Sequence, residues 1–460
     1  MSEASSYDGR RFSFRTEREA PLVPGDVVLI DTGTRERYAG QVLEHAVTDT
    51  GELLGLGAVL TCLDADGHPT RGVRRPFAEA SIQAATVDLL VSMQQSAGAA
   101  IPVGTWRSGH LETPAHLKAQ GFNRHTFLCG QSGSGKTYAL GVILEQLILA
   151  TELRMVVLDP NADFVRLGET LPGAPEEVAQ RLRATDLRVL RAGTSGSDTL
   201  HARFSSMSPR SKAAVLRMDP VADRGEYNTF MRETADASRH GLTSLLDTLQ
   251  RGGPDQIALA QRIENLGVLD WEVWAKERPS AVEIIDSGTR ITVMDLGGFE
   301  DPAEPLAVSL EVLDSLWANR GSRTPTLIVI DEAHNVCPAE PASTLAAAVT
   351  DRLIQIAAEG RKFGLWLLLS SQRPSKLHPQ VLSQCDNLAL MRMNSPSDVE
   401  ELAQLFGFTP PAMLHAAPSF AQGEVLLAGG FVPAPSFVQM GARLTQEGGQ
   451  DVKVPVTKVP

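Results

Sequence analysis

Apolar residues recur along this chain with two different periods, and the change of period divides it. From about Leu22 to Ile82, short apolar runs such as DVVLI (26–30) and GAVLTCL (57–63) are broken by DTGT (31–34), DTGE (49–52) and DADG (64–67). Short strands joined by tight turns have this pattern, which predicts a small β-barrel. ASIQAATVDLLVSMQQS (80–96) has apolar residues at helical spacing, and IPVGTWRSGHLETP (101–114), punctuated by Pro and Gly, reads as a linker.

From about Gly121 the period changes. The buried-strand run HTFLC (125–129) enters a Gly-rich turn and then YALGVILEQLILA (138–150), long and apolar enough for a buried helix. RMVVLD (154–159), ITVMDL (291–296), TLIVID (326–331), LWLLLSS (365–371) and NLALMRM (387–393) follow as further strands. Continuous apolar strands alternating with helices predict an α/β core with a largely parallel sheet covered on both faces. Between them lie the helical stretches SPRSKAAVLRM, EYNTFMRETADASR, TSLLDTLQ and DQIALAQRIENLG, a helical insertion. The expected organisation is an N-terminal extension (1–21), a barrel domain (22–100), a core (101–166 and 288–445) interrupted by the insertion (167–287), and a C-terminal tail (446–460). The core closes with a helix over SDVEELAQLFG and a β pair around EVLLAG and PSFVQMG.

Composition narrows the classes. At 460 residues the chain is long enough for roughly three modules with large cores. Hydrophobic residues make up 43% and charged residues 21%, and no apolar run approaches the ~20 residues that span a bilayer. No membrane anchor is expected. The first thirty residues lack the compact apolar stretch of a secretory signal, so a cytoplasmic protein is expected. Cys62, Cys129, Cys337 and Cys385 have neither zinc-site nor disulfide-framework spacing and read as packed thiols. The net charge of −13 argues against a surface that coats nucleic acid, but leaves room for a locally basic channel.

Gly130-Gln131-Ser132-Gly133-Ser134-Gly135-Lys136-Thr137 satisfies the complete GxxxxGK[ST] pattern, between a strand and a helix, where that pattern has meaning. Its glycines let backbone N–H groups approach phosphates, the helix N-terminus adds positive potential, Lys136 neutralises β/γ oxygens and the Thr137 hydroxyl ligates Mg²⁺. Tyr138, next in the chain, belongs to the same nucleotide-binding segment. Asp331 and Glu332 end the apolar run TLIVID, which delivers two carboxylates to the edge of the sheet. Asp331 is expected to hold Mg²⁺ through water and Glu332 to polarise the attacking water in ATP hydrolysis.

Gln372 follows another apolar strand and is placed to sense a γ-phosphate; capping a loop is the alternative. Arg361 could stabilise the charge of a transferring phosphoryl group on a neighbouring subunit, or merely complement a helix C-terminus. Lys362 and Arg373 are rivals for that role. Asp159 and Asp163 in VVLDPNADF either assist at the site or build an Asx-type turn. RRFSFRTER, Arg35 with Arg37, RGVRR and HARFSSMSPRSK are basic patches without the aromatic interleaving of a single-strand platform. They would suit duplex backbone contact, or simply solvated faces.

With the phosphate loop, VVLDPNADF, LIVIDEAH and EGRKFGLWLLLSSQRPSKL in this order, the chain resembles the HerA family within the HerA/FtsK branch of P-loop ATPases. The resemblance covers most of the chain. It implies a RecA-like core behind a HAS-barrel-like domain, and a homohexameric ring that moves double-stranded DNA through its pore. It also implies a partner docked on the barrel face, either a NurA-like nuclease for end processing or a defence effector. Lys136, Thr137, Asp331, Glu332, Gln372 and Arg361 then take the Walker, sensor and trans-acting arginine positions. Asn161 and Asp163 depart from the His and Glu more usual in that segment.

The first functional reading is an ATP-driven ring motor on duplex DNA. No motif in the sequence has a nuclease pattern, which is why a partner is expected. The alternative is an ATP-binding hexameric scaffold that assembles and licenses a partner effector, with hydrolysis as a timer; the acidic bulk of the chain favours it.

Overall fold

The computed structural model describes residues 2–15, 22–34, 36–47, 53–193, 198–236 and 242–449. The chain forms two compact units, Met1–Thr151 with Leu367–Arg443, and Glu152–Trp366 with Leu444–Pro460.

The first unit opens with a β-barrel. Ser2–Ser6, Phe77–Ala84, Val27–Asp31, Arg37–Val47 and Leu53–Leu63 are neighbours in that order, and Arg11–Arg15 pairs with both Ser2–Ser6 and Leu53–Leu63, which closes the barrel. Residues 2–15, expected as an extension outside the barrel, therefore supply two of its strands. Closure buries alternate residues of each strand: Phe12, Phe14, Val28, Ile30, Tyr38, Val42, Val59 and Ile82 share one core. Gly55 and Gly57 make the packing possible, because a Cβ at either would collide with the Phe14 or Phe12 ring. The helix expected over 80–96 begins only at Val87; Thr86 caps it by accepting from the Leu89 N–H, and 80–84 belong to the last barrel strand.

The stretch read as a linker is instead a hairpin. Ile101–Ser108 pairs with Leu111–Leu117 and with Ser436–Met440, extending an antiparallel run that also holds Glu424–Gly429 and Cys385–Met391. Next in this sheet, His125–Cys129 runs parallel to both Cys385–Met391 and Leu365–Ser371. All five residues of His125–Cys129 are buried, as a continuous apolar run between two covered faces requires. Its helix, Lys136–Ala150, is buried on nearly every side.

The second unit carries four parallel strands in the order Leu187–Arg191, Ile291–Asp295, Arg154–Asp159, Thr326–Ile330. Leu187–Arg191 lies inside the stretch expected to be a helical insertion, and corrects it: the insertion contributes an edge strand before its helices Pro209–Val215, Arg224–Asp236, Leu242–Leu249 and Pro254–Asn265. The start of the expected tail is anchored, with Gln446 donating to the Glu169 carbonyl and Gly448 to that of Asp163. Residues 450–460 of the tail lie outside the described residues, as does Arg35. Among the described residues no helix is long and apolar enough to cross a membrane.

Candidate nucleotide-binding site

In the first unit, the buried strand ends at Cys129 and the chain turns through Gly130–Gly135 into the helix that starts at Lys136. Burial among apolar neighbours pushes the Cys129 thiol up, so it is an inert packing group. Gly133 (φ +74°) and Gly135 (φ +95°) take left-handed conformations that disfavour any other residue. Gly135 stands at the N-cap of the helix and makes no side-chain capping hydrogen bond. A glycine-rich helix start of this kind fits a polyphosphate. Lys136 is buried and its Nζ donates to Ser370 Oγ at 2.9 Å. No sequence motif singles out Ser370; it is a polar residue near the end of the neighbouring apolar strand Leu365–Ser371, and it holds the ammonium in place.

The helix is tied down behind the loop. Tyr138, partly exposed, accepts a hydrogen bond from the Arg443 N–H at 2.7 Å. The Arg443 guanidinium lies 3.4 Å from Glu145 with both side chains buried, and Gly141 leaves room for it. Ser371 is in register with Cys129, so Gln372 follows the strand end beside the start of the loop. Arg373 is exposed on the same segment.

In the second unit, Thr326–Ile330 ends in Asp331 and Glu332, both buried, with the Asp331 N–H donating to the Leu158 carbonyl. Glu332 stands at φ +42°, a conformation costly for a side-chain-bearing residue and concentrated at functional sites. Its Oε2 lies 3.3 Å from His334 Nδ1. Asp159, at the end of the neighbouring strand, accepts from the N–H groups of Asp163 and Phe164, which is the Asx-type turn considered above. Burial nevertheless raises its carboxyl to about 7, and the charges of Asp163 and Asp331 add to the rise. Carboxylate oxygens of Asp159, Asp163 and Asp331 all lie within 4.8 Å of one another. An all-oxygen set of this kind suits a hard divalent cation such as Mg²⁺.

Arg361 is elsewhere. It sits in the 3₁₀ turn Gly360–Phe363, and Gly364 accepts from Thr326, so this turn lies at the starting edge of Thr326–Ile330. Asp331 is at the opposite edge, about 16 Å away at ~3.3 Å per residue. Arg361 and its neighbour Lys362 are both exposed. Within its own unit, Arg361 is therefore separated from the carboxylates.

Several basic residues flagged in the sequence have structural duties. Arg37 and Arg74 donate to main-chain carbonyls, Arg75 lies 3.4 Å from Glu36, Arg203 pairs with Glu283 at 2.9 Å, and Lys212 donates to the Ser205 carbonyl.

Residues 101–251 match the family model described as the central domain of the helicase HerA. A protein of Methanocaldococcus jannaschii named as a probable helicase is 24% identical over 373 residues, 72% of this chain and 68% of its own. The DNA double-strand break repair helicase HerA of Pyrococcus furiosus is 23% identical over 385 residues, 72% of this chain and 69% of its own. The protein of the same name from Sulfurisphaera tokodaii is 30% identical over 159 residues, 33% of this chain and 31% of its own.

Proposed function

The chain belongs to the HerA family and is an ATP-hydrolysing P-loop enzyme, and from that premise we propose that it is a motor that moves double-stranded DNA. The observation that carries the reading is the complete phosphate loop between a fully buried strand and a buried helix, with Lys136 held by Ser370. In this reading ATP binds across Gly130–Tyr138, Lys136 neutralises the β/γ oxygens, and Gln372 orients toward the γ-phosphate. By their motif positions Thr137 and Asp331 would hold Mg²⁺, which would screen the phosphate charge. Glu332 polarises the attacking water, with His334 orienting its carboxylate.

The distance of Arg361 from the carboxylates of its own unit supports a trans role, in which a neighbouring copy completes the site. A homohexameric ring would supply such neighbours. DNA would pass through its pore, and a NurA-like nuclease or a defence effector would dock on the barrel face and supply the covalent chemistry.

The test is the steady-state ATPase rate of the wild type and of Glu332→Gln, each with and without linear duplex DNA, at low and moderate salt. A motor on duplex gives salt-sensitive stimulation in the wild type, absent from the variant. ATPase activity indifferent to duplex would refute translocation and leave the partner-licensing scaffold as the better account.

A further inference from the structure

The phosphate loop is braced from outside its own motif. Gln131–Ser134 is a β-turn: Ser134 N–H donates to the Gln131 carbonyl at 3.1 Å, and Gly133 occupies the third position at φ +74°, as a turn with positive φ there requires. A single strand end contacts this turn three times. Leu390 of Cys385–Met391 is in register with Cys129, so the chain just beyond runs beside the loop. There the Arg392 carbonyl accepts from the Gln131 N–H at 2.9 Å, the Asn394 N–H donates to Gln131 Oε1 at 3.1 Å, and Arg392 Nη2 donates to the Gly133 carbonyl at 3.1 Å.

The last of these bonds has a specific consequence. A loop that binds phosphate through its amides must keep its carbonyls turned away, because an oxygen facing the anion repels it. Gly133 is the residue least able to do this unaided: it is exposed, it lacks a Cβ, and nothing lies within 4 Å of where a Cβ would be. The guanidinium of Arg392 fixes its carbonyl by donating to it, and a charge-assisted bond of this kind can shift a conformational balance about ten-fold. Among the described residues the buried Arg392 Nε makes no hydrogen bond, while Nη2 of the same guanidinium donates to the Gly133 carbonyl.

We propose that Arg392 is a positioning residue that keeps the phosphate loop in its nucleotide-receptive form. The proposal rests on the reading that this loop binds ATP. It is tested by calorimetric titration of the full chain with ATP and with ADP, for the wild type, Arg392→Ala, Arg392→Lys and Lys136→Ala, beside melting temperatures without nucleotide. Arg392→Ala is expected to weaken ATP and ADP alike, by about ten-fold, since both place phosphates in the loop. Arg392→Lys, whose ammonium can still donate to Gly133, recovers most of that affinity, and the nucleotide-free melting temperature stays within about two degrees of the wild type. Unchanged affinity in Arg392→Ala overturns the proposal, as does equal loss in the Lys variant. Loss confined to ATP would mean direct γ-phosphate contact instead, and a matching fall in nucleotide-free stability would mean a merely structural residue. A wild type that binds neither nucleotide, behaving like Lys136→Ala, overturns the reading of the loop itself.

Discussion

Glu311 provides a pH test of the second unit that is independent of catalysis. It lies on the helix Glu304–Ala318, only 3% exposed, with Ser206 donating to Oε1 at 2.7 Å and no hydrogen bond to Oε2 among the described residues. Burial raises its carboxyl from 4.5 to about 7, against the opposing pull of the Ser206 hydroxyl. Below pH 4.5 the group is protonated whether the chain is folded or not, and it costs nothing. Between 4.5 and 7 the unfolded chain releases the proton and the folded one retains it, so stability falls as pH rises; above 7 the loss is complete. Integrated from pH 5 to pH 8, the loss is about 2.5 kcal/mol. Glu311→Gln removes the titration while preserving an acceptor for Ser206. Urea denaturation of both proteins across this range, followed by a probe in the second unit, should show the wild type losing about 2.5 kcal/mol relative to the variant. A difference between the two that stays constant from pH 5 to pH 8 would refute the assignment.

Glu145→Ala leaves the buried Arg443 guanidinium without the carboxylate now 3.4 Å away, and should cost about 3–5 kcal/mol in denaturant unfolding; pairing it with Arg443→Met should recover most of that. Gly57→Val forces a side chain against the Phe12 ring and the Gln41 carbonyl, and about 1–3 kcal/mol of barrel stability should disappear, read by near-UV circular dichroism during urea titration. Lys136→Ala should abolish ATP-dependent protection against thermal unfolding while leaving the nucleotide-free transition near its wild-type position, which differential scanning calorimetry checks directly.

The parts of the fold and site that were legible in the sequence are those whose signal is local. HTFLC, the Gly-rich turn and the apolar helix after it are contiguous, so one window contains strand, loop and helix; the same is true of TLIVID with its two terminal carboxylates. What escaped depends on distant partners. RFSFR takes its place in the barrel by pairing with Ser2–Ser6 on one side and with the distant Leu53–Leu63 on the other, and the second pairing leaves no local signal. LRVLR alternates apolar and charged residues at the edge of its sheet, a weak pattern beside the helices that follow. The hairpin at 101–117 carries Pro102, Gly104 and Pro114, residues that ordinarily punctuate loops, and it holds its place through Ser436–Met440, more than three hundred residues away. Ser370 and Arg392 reach the phosphate loop only because strands from the end of the chain flank His125–Cys129.

That arrangement of strands also governs how the protein is made. His125–Cys129 leaves the ribosome before either strand that hydrogen-bonds to it, because Leu365–Ser371 and Cys385–Met391 are translated after more than two hundred intervening residues. At roughly 5–20 residues per second, this five-residue apolar segment waits on the order of ten to fifty seconds for its first neighbour. During that interval an apolar strand with two open edges is present in the nascent chain, a natural client for a holding chaperone. The nucleotide pocket cannot take shape until Leu365–Ser371 and Cys385–Met391 have both been made.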